Sequence, residues 1–239
     1  MKLYVLPLES FCNANCSFCI TKFRDISDSQ YLKLNDLENV LNNFEFSSIE
    51  ITGGGEPLLH PEIKDISLRC IENATTQLYT NGEFVKKIKG AQGLSYLCLS
   101  RAHHDDRKNF RIMKIHYNID SVFDTGFSVK TSLLLHKSGI NNAESLKEYF
   151  DWANFKGAKK VVVRQLFDHD YKGKLEGEFI SSLDMASKFE SEIGEKSAYL
   201  SWKGMDVEFE LRSCACEMDN PVLHADGELY RGWSREILK

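Results

Sequence analysis

Ser48-Ile49-Glu50-Ile51-Thr52-Gly53-Gly54-Gly55-Glu56-Pro57 is a short β-branched run that stops at three glycines, and an amphipathic stretch from Pro61 to Asn73 follows it. A strand that ends at glycine and hands over to a helix is one βα step. The same alternation recurs outward from it on both sides. Strand-like runs lie at Leu3 to Leu8, Ser48 to Thr52, Thr76 to Thr80, Tyr96 to Ser100, Val129 to Leu135 and Lys160 to Leu166. Between them, helix-like stretches lie at Lys33 to Asn43, Pro61 to Asn73, Glu83 to Ile88, Asp105 to Lys114 and Ala143 to Phe155. Such a succession predicts an α/β fold of parallel strands joined by right-handed crossover helices, as an open doubly wound sheet or a curved barrel-like one. Past residue 167 the pattern breaks. A helix is expected near Ser181 to Ile193, then strand-like runs with turns at Lys203-Gly204 and Asp226-Gly227, the second a strong hairpin signal.

Composition narrows the function classes. With 239 residues, 42% of them hydrophobic, and only 4 prolines, the chain is expected to form one large domain with a sizeable core. Its net charge of −5 gives no footprint for a nucleic-acid backbone or an anionic membrane. The longest apolar runs fall far short of the roughly 20 residues a spanning helix needs. The opening Met-Lys-Leu-Tyr-Val-Leu-Pro-Leu-Glu alternates and is too short for an export signal, so the expected location is cytoplasmic. Seven cysteines, an odd number in a chain read as cytoplasmic, point to metal or redox chemistry rather than a disulfide framework.

Three of those cysteines fall in Phe11-Cys12-Asn13-Ala14-Asn15-Cys16-Ser17-Phe18-Cys19, directly after the first strand. A structural zinc site wants four protein ligands, and no fourth Cys or His is near in the sequence. A cubic 4Fe-4S cluster that only carries electrons also takes four, so three leave one iron open to a ligand. This spacing, with Phe18 just before the third cysteine, resembles the signature of the radical S-adenosylmethionine (radical SAM) enzymes. The glycine run strengthens the likeness, because it is similar to the family's Gly-Gly-Glu-Pro stretch in order and distance. Tyr79-Thr80-Asn81-Gly82 looks like the family's third-strand ending, although an Asn-Gly turn accounts for the same residues.

The resemblance covers about residues 3 to 167 and implies a partial (β/α)6 TIM-like barrel for a domain read as 1–167. Residues 168–239, where the pattern breaks, are expected to form a small C-terminal cap in which specificity resides. It implies that Cys12, Cys16 and Cys19 ligate a 4Fe-4S cluster whose open iron binds S-adenosylmethionine. Reductive cleavage would yield a 5'-deoxyadenosyl radical that abstracts hydrogen from a substrate, the electron coming from a donor such as flavodoxin or ferredoxin. Phe18, Gly54, Gly55 and Glu56 would contact the cofactor. In parallel α/β sheets the site lies at the C-terminal ends of the strands, which selects Ser100, Arg101, Lys130, Ser132, Arg164 and Gln165. Because family members hold the S-adenosylmethionine ribose and carboxylate with polar side chains from those strands, the resemblance implies Ser100 and Gln165 as cofactor contacts. Side chains alternate along a strand, so Arg164 and Gln165 cannot both point in, and Gln165 is the one preferred.

Other candidates stay open. Arg101-Ala102-His103-His104-Asp105-Asp106 and Asp168-His169-Asp170 lie at the expected rim, either to bind substrate or to cap and solvate. Cys214 and Cys216 in the tail are too few for a second cubane and are candidate hydrogen-atom donors to a substrate radical. The substrate reading is a peptide, epimerised or otherwise modified, with a nucleotide, a deazapurine or a small metabolite as alternatives. A zinc-stabilised binding module is the alternative that is not an enzyme.

Overall fold

The computed structural model describes residues 1–19, 30–166, 180–211, 220–232 and 236–237. Cys214, Cys216 and Asp168-His169-Asp170 lie outside the described residues. The six predicted strands form as β1 (Lys2–Val5), β2 (Ser48–Ile51), β3 (Thr75–Thr80), β4 (Tyr96–Ser100), β5 (Val129–Leu135) and β6 (Lys160–Gln165). Each pairs in parallel with the next. The connections hold α1 (Leu34–Asn43), α2 (Ile63–Asn73), α3 (Asp106–Met113), the short and unexpected α4 (Asp120–Phe123), and α5 (Ala143–Phe155).

Local chemistry sets the helix limits. Asp105 accepts a hydrogen bond from Lys108 N–H at 2.8 Å and caps α3, and Lys114 at φ 58° ends it. Asn142 opens α5 with a reciprocal bond pair to Ser145. Between β3 and β4 the expected helix is a 3₁₀ turn, Val85–Ile88. Val85 and Ile88 are both buried, and an i, i+3 pair eclipses on one side in that tighter winding.

Residues beyond 179 add strands on both flanks. The turn Lys203-Gly204, at φ 52° and 84°, joins β8 (Ser197–Trp202) to β9 (Met205–Glu210), as a two-residue hairpin requires. β9 then pairs in parallel with β6. On the other flank β10 (Pro221–Leu223) pairs in parallel with β1 and turns at Asp226-Gly227 into β11 (Leu229–Arg231). With β7 (Glu192–Ile193) and β12 (Glu236–Ile237) at the ends, the order is β12-β11-β10-β1-β2-β3-β4-β5-β6-β9-β8-β7. Among the described residues the sheet is an open, partial barrel.

The helix expected at Ser181 to Ile193 is only α6 (Ser182–Ala186). Ser187 and Ser191 hydroxyls donate to Asp184 and Ala186 carbonyls, competing with the helix ladder. Phe189 meanwhile turns into an aromatic group with Phe150, Trp202 and Phe209.

The two sheet faces differ sharply. Leu97, Leu99, Leu133, Leu135, Val161 and Val163 pack on the helices, where they meet Ile119 and Val122 near α4 and Leu146, Tyr149, Phe150 and Ala153 of α5. On the other, concave face the alternate residues join one another through polar atoms. Lys130 Nζ donates to Gln77 and to Tyr79 OH, and it stands 5.0 Å from the centre of the Tyr79 ring. Cys98 is buried there too, its thiol 3.5 Å from Gln77.

Candidate active site

At the C-terminal ends of the strands, Cys12, Cys16 and Cys19 line one cavity of about 290 Å³. The cysteine loop is held from three directions. Asn15 and Ser17 N–H groups donate to the Met113 and Ile112 carbonyls at the end of α3, at 2.9 and 3.1 Å. Phe18 packs on a small cluster around Ala102, Ile112, Met113 and Ile115, its ring 5.1 Å from that of His136.

The second support is the glycine run, and the reason for glycine there is the loop itself. Ser10 N–H donates to the Gly54 carbonyl at 3.1 Å, and Glu56 N–H donates to the Phe11 carbonyl at 2.8 Å. A Cβ on Gly55 would stand 2.0 Å from the Phe11 carbonyl oxygen, so only glycine lets the two backbones meet. Gly53 and Gly55 also line the cavity.

The third support comes from β3. Asn81 Nδ2 donates to Asn13 Oδ1 at 2.9 Å, and Asn13 reaches on to Glu83. Glu56 is buried and accepts three hydrogen bonds: from Thr80 Oγ1 at 2.6 Å, Asn81 N–H at 2.8 Å and Leu58 N–H at 3.0 Å. Burial raises its pKa to about 7, with those three bonds pulling the other way. The glycine run, the third-strand ending and the cysteine loop are therefore one bonded unit.

Across the cavity stand Ser100, Arg101, Ser132, Leu134, Tyr79 and Arg164. Arg164 donates to Ser132 Oγ at 3.1 Å and Tyr79 OH at 3.3 Å, and pairs with Glu210 of β9 at 2.9 Å. Gln165, expected here, lies on the opposite face. Its Oε1 accepts from Ser182 N–H and Oγ at 2.9 and 2.8 Å, at the start of α6. The parity of β6 is set by Val161 and Val163, which fill the helix-side core and leave the even positions to the cavity. Arg164 thus takes the place expected for Gln165.

The rim group divides. Arg101 lines the cavity, with its guanidinium 4.7 Å from the centre of the Trp152 ring. His103 accepts from Asp105 N–H at 3.0 Å, and burial, with His104 beside it, pushes its pKa down to about 4. His104 faces Glu148 at 3.5 Å. These histidines and Asp105 shape the start of α3. Sequence reasoning had Tyr79 only as part of the third-strand ending and missed Asn13 and Glu210 as parts of the site, of which Asn13 alone had a signal, its place between two motif cysteines.

Residues 7–141, more than half of the chain, match the model of the radical SAM superfamily. The chain belongs to the radical SAM superfamily. Among curated proteins none matches it. Its fold is similar to SuiB of Streptococcus suis bound to S-adenosylmethionine, at 16% identity and a TM-score of 0.68, over 95% of this chain and 59% of that one. SuiB bound to the precursor peptide SuiA matches at 18% identity and a TM-score of 0.63, over 77% and 43%. TYW1 with a lysine-pyruvate adduct matches at 14% identity and a TM-score of 0.57, over 83% and 75%. This radical SAM chain spans about half the length of the SuiB structures.

Radical SAM enzymes use a 4Fe-4S cluster and S-adenosylmethionine, and the donor set here fits them. Three thiols from one short loop line a single cavity, and its described lining holds no fourth Cys or His. No described helix is long and apolar enough to cross a membrane.

Proposed function

We propose that this chain cleaves S-adenosylmethionine reductively and abstracts a hydrogen atom from a peptide. The observation that carries the reading is that Cys12, Cys16 and Cys19 all line one cavity beside the glycine run. Cys12, Cys16 and Cys19 hold the cluster, which supplies the electron and the open iron when bound. Gly55 and Glu56 offer the cavity edge for the amino end of S-adenosylmethionine, with Glu56 fixing that edge through Thr80 and Asn81, while Gly54, expected there too, lies against Glu9 and outside the cavity lining. Phe18 lines the same cavity, where it would contact the cofactor, and packs on the cluster around Ala102 and Met113. Ser100, Ser132 and Arg164 offer a hydroxyl pair and a cation to its ribose and carboxylate.

The peptide reading draws on the likeness to SuiB, which was solved with a precursor peptide. An open sheet also leaves room for a substrate longer than a metabolite. In this reading Cys214 or Cys216 returns a hydrogen atom to the substrate radical: the S–H bond breaks, a C–H bond forms and a thiyl radical stays on the protein.

The test is anaerobic. Protein reconstituted with iron and sulfide is given S-adenosylmethionine and a strong reductant, and 5'-deoxyadenosine is quantified beside a Cys16→Ala control. Deoxyadenosine is expected from the intact triplet and not from the control; equal amounts from both would refute the assignment. With a peptide substrate in D₂O, epimerisation adds deuterium to the product, and replacing the donor cysteine by Ala stops product but not deoxyadenosine.

A further inference from the structure

Glu9 and His224 are 215 positions apart in the chain and in contact in the fold. His224 Nδ1 stands 3.0 Å from Glu9 Oε1, and the two side chains are only 2% and 4% exposed. Neither lines the cavity, so neither belongs to the site described above.

Each partner sits at a sensitive place. Glu9 lies four residues past the end of β1, just before the cysteine loop: it makes an isolated parallel bridge to Gly54, and its N–H donates to the Gln30 carbonyl at 3.3 Å. Ser10 then takes φ 67°, a left-handed conformation that costs a non-glycine residue roughly 1 kcal/mol or more and persists only where neighbours impose it. Two residues later comes Cys12. A Cβ on Gly54 would stand 3.2 Å from Glu9 Cγ, so a side chain at 54 would press on the Glu9 side chain and displace it by a few tenths of an ångström.

His224 starts the β10–β11 turn. Its carbonyl accepts from Gly227 N–H and its N–H donates to the Glu228 carbonyl, at 3.0 and 3.1 Å. Its ring meets Tyr230 edge-on at 4.7 Å, and Tyr230 OH donates to Asp226 at 2.9 Å. Nε2 is buried and makes no hydrogen bond among the described residues. The ring's polar contact is therefore made through Nδ1, which donates to the Glu9 carboxylate.

We propose that Glu9 and His224 are a positioning pair that latches the C-terminal hairpin onto the root of the cysteine loop and so holds the cluster ligands in place. The proposal rests on the cluster-binding reading of Cys12, Cys16 and Cys19. Removing His224 strips Oε1 of the buried Glu9 carboxylate of the contact seen here, and that oxygen must shift or take in water. Ser10, the next residue, holds its left-handed conformation through its neighbours, so a shift of Glu9 is passed to it and on to the cysteine loop. Groups bonded directly to metal ligands change metal retention by about 10- to 100-fold when removed, and a pair that acts through the backbone between is expected at the low end of that range.

The test uses the full chain reconstituted anaerobically with iron and sulfide, then challenged with a ferrous chelator. Loss of the cluster's visible absorption is timed, and the EPR line shape of the reduced cluster is recorded. Glu9→Ala and His224→Ala are expected to bleach about tenfold faster and to change the line shape, and the double variant to be no worse than either single one. Glu9→Gln and His224→Asn keep an acceptor and an amide donor at the same atoms, and they are expected to match the parent. Leu229→Ala weakens the same hairpin without touching the pair and serves as the stability control. If the alanine variants do not fold, His224→Met, which fills the space without a donor, takes their place.

Bleaching at the parent rate overturns the latch, and so does equal acceleration by Leu229→Ala. A parent that takes up no iron and sulfide overturns the cluster reading, and the latch falls with it. A parent that takes them up while Glu9→Ala and His224→Ala bleach at the parent rate, or no faster than Leu229→Ala, overturns the latch alone.

Discussion

Glu56 holds a carboxylate that three donors satisfy and almost no water reaches. Its pKa of about 7 lies above the 4.5 of a solvated glutamate, because burial penalises the charge more than the hydrogen bonds repay it. The folded chain therefore holds this proton between roughly pH 4.5 and 7 while the unfolded chain has released it. Its contribution is full below about pH 4.5 and is lost as pH rises through 7. The limit is about 3 kcal/mol, since each pKa unit is worth about 1.4 kcal/mol. Urea unfolding of the metal-free protein, repeated across that range, is expected to show this decline, and Glu56→Gln to flatten it. A profile equally steep in Glu56→Gln would assign the effect elsewhere. At this scale the sequence was only partly legible. The cysteine spacing marked three residues directly, whereas the choice between Arg164 and Gln165 turned on strand parity. Lys160-Val161-Val162-Val163-Arg164-Gln165 has apolar residues at both parities, so its period leaves the direction of each side chain undetermined. What decides is the packing of Val161 and Val163 against α5 and its neighbours.

Among the elements, the contact that matters most to the site is between the cysteine loop and the glycine run. It is a backbone-to-backbone contact, and its tolerance is small. Gly55→Ala would place a methyl carbon 2.0 Å from the Phe11 carbonyl and 2.5 Å from Leu8 Cδ1. The loop must move, at a cost of about 1–3 kcal/mol for an overpacked site, and the cysteines move with it. Reconstituted Gly55→Ala is expected to hold little of the parent's iron per chain, with a lower urea midpoint. Parent-like iron in a chain of lowered stability would show that the loop binds its cluster independently of this contact. The sequence located the glycines but not their partner, because three glycines at a strand end suit a ligand and a neighbouring loop equally well. Element by element, β2 to β6 and α5 were legible from alternation, turn glycines and apolar spacing. The tail was not. Phe189 is one residue in a polar stretch, and only the aromatic pocket made by Phe150, Trp202 and Phe209 shows why the helix stops before it.

For the molecule as a whole, the decisive fact is that strands from the far end of the chain flank the βα strands on both sides. Local periodicity marks a strand but carries no record of which edge it will join, so the attachment of β9 and β10 had no signal in the sequence. Its consequence reaches the cavity. Glu210 on β9 is the carboxylate paired with Arg164, which also bonds Ser132 and Tyr79 at the cavity floor. Arg164 keeps 31% of its side chain exposed and Glu210 17%, so the pair is not sealed and a full buried-charge penalty does not apply. Removing the carboxylate forfeits a charge-assisted hydrogen bond and leaves the guanidinium held by two neutral oxygens. Glu210→Ala is then expected to cost roughly 2 kcal/mol of unfolding free energy. Glu192→Ala, on the exposed edge strand β7, is expected to stay within about 0.5 kcal/mol of the parent. The freed guanidinium also turns toward the cavity, so S-adenosylmethionine affinity, measured by calorimetry on the reconstituted protein, is expected to change in Glu210→Ala and not in Glu192→Ala. Loss of stability without any change in affinity would make β9 a support for the sheet edge with no reach into the site.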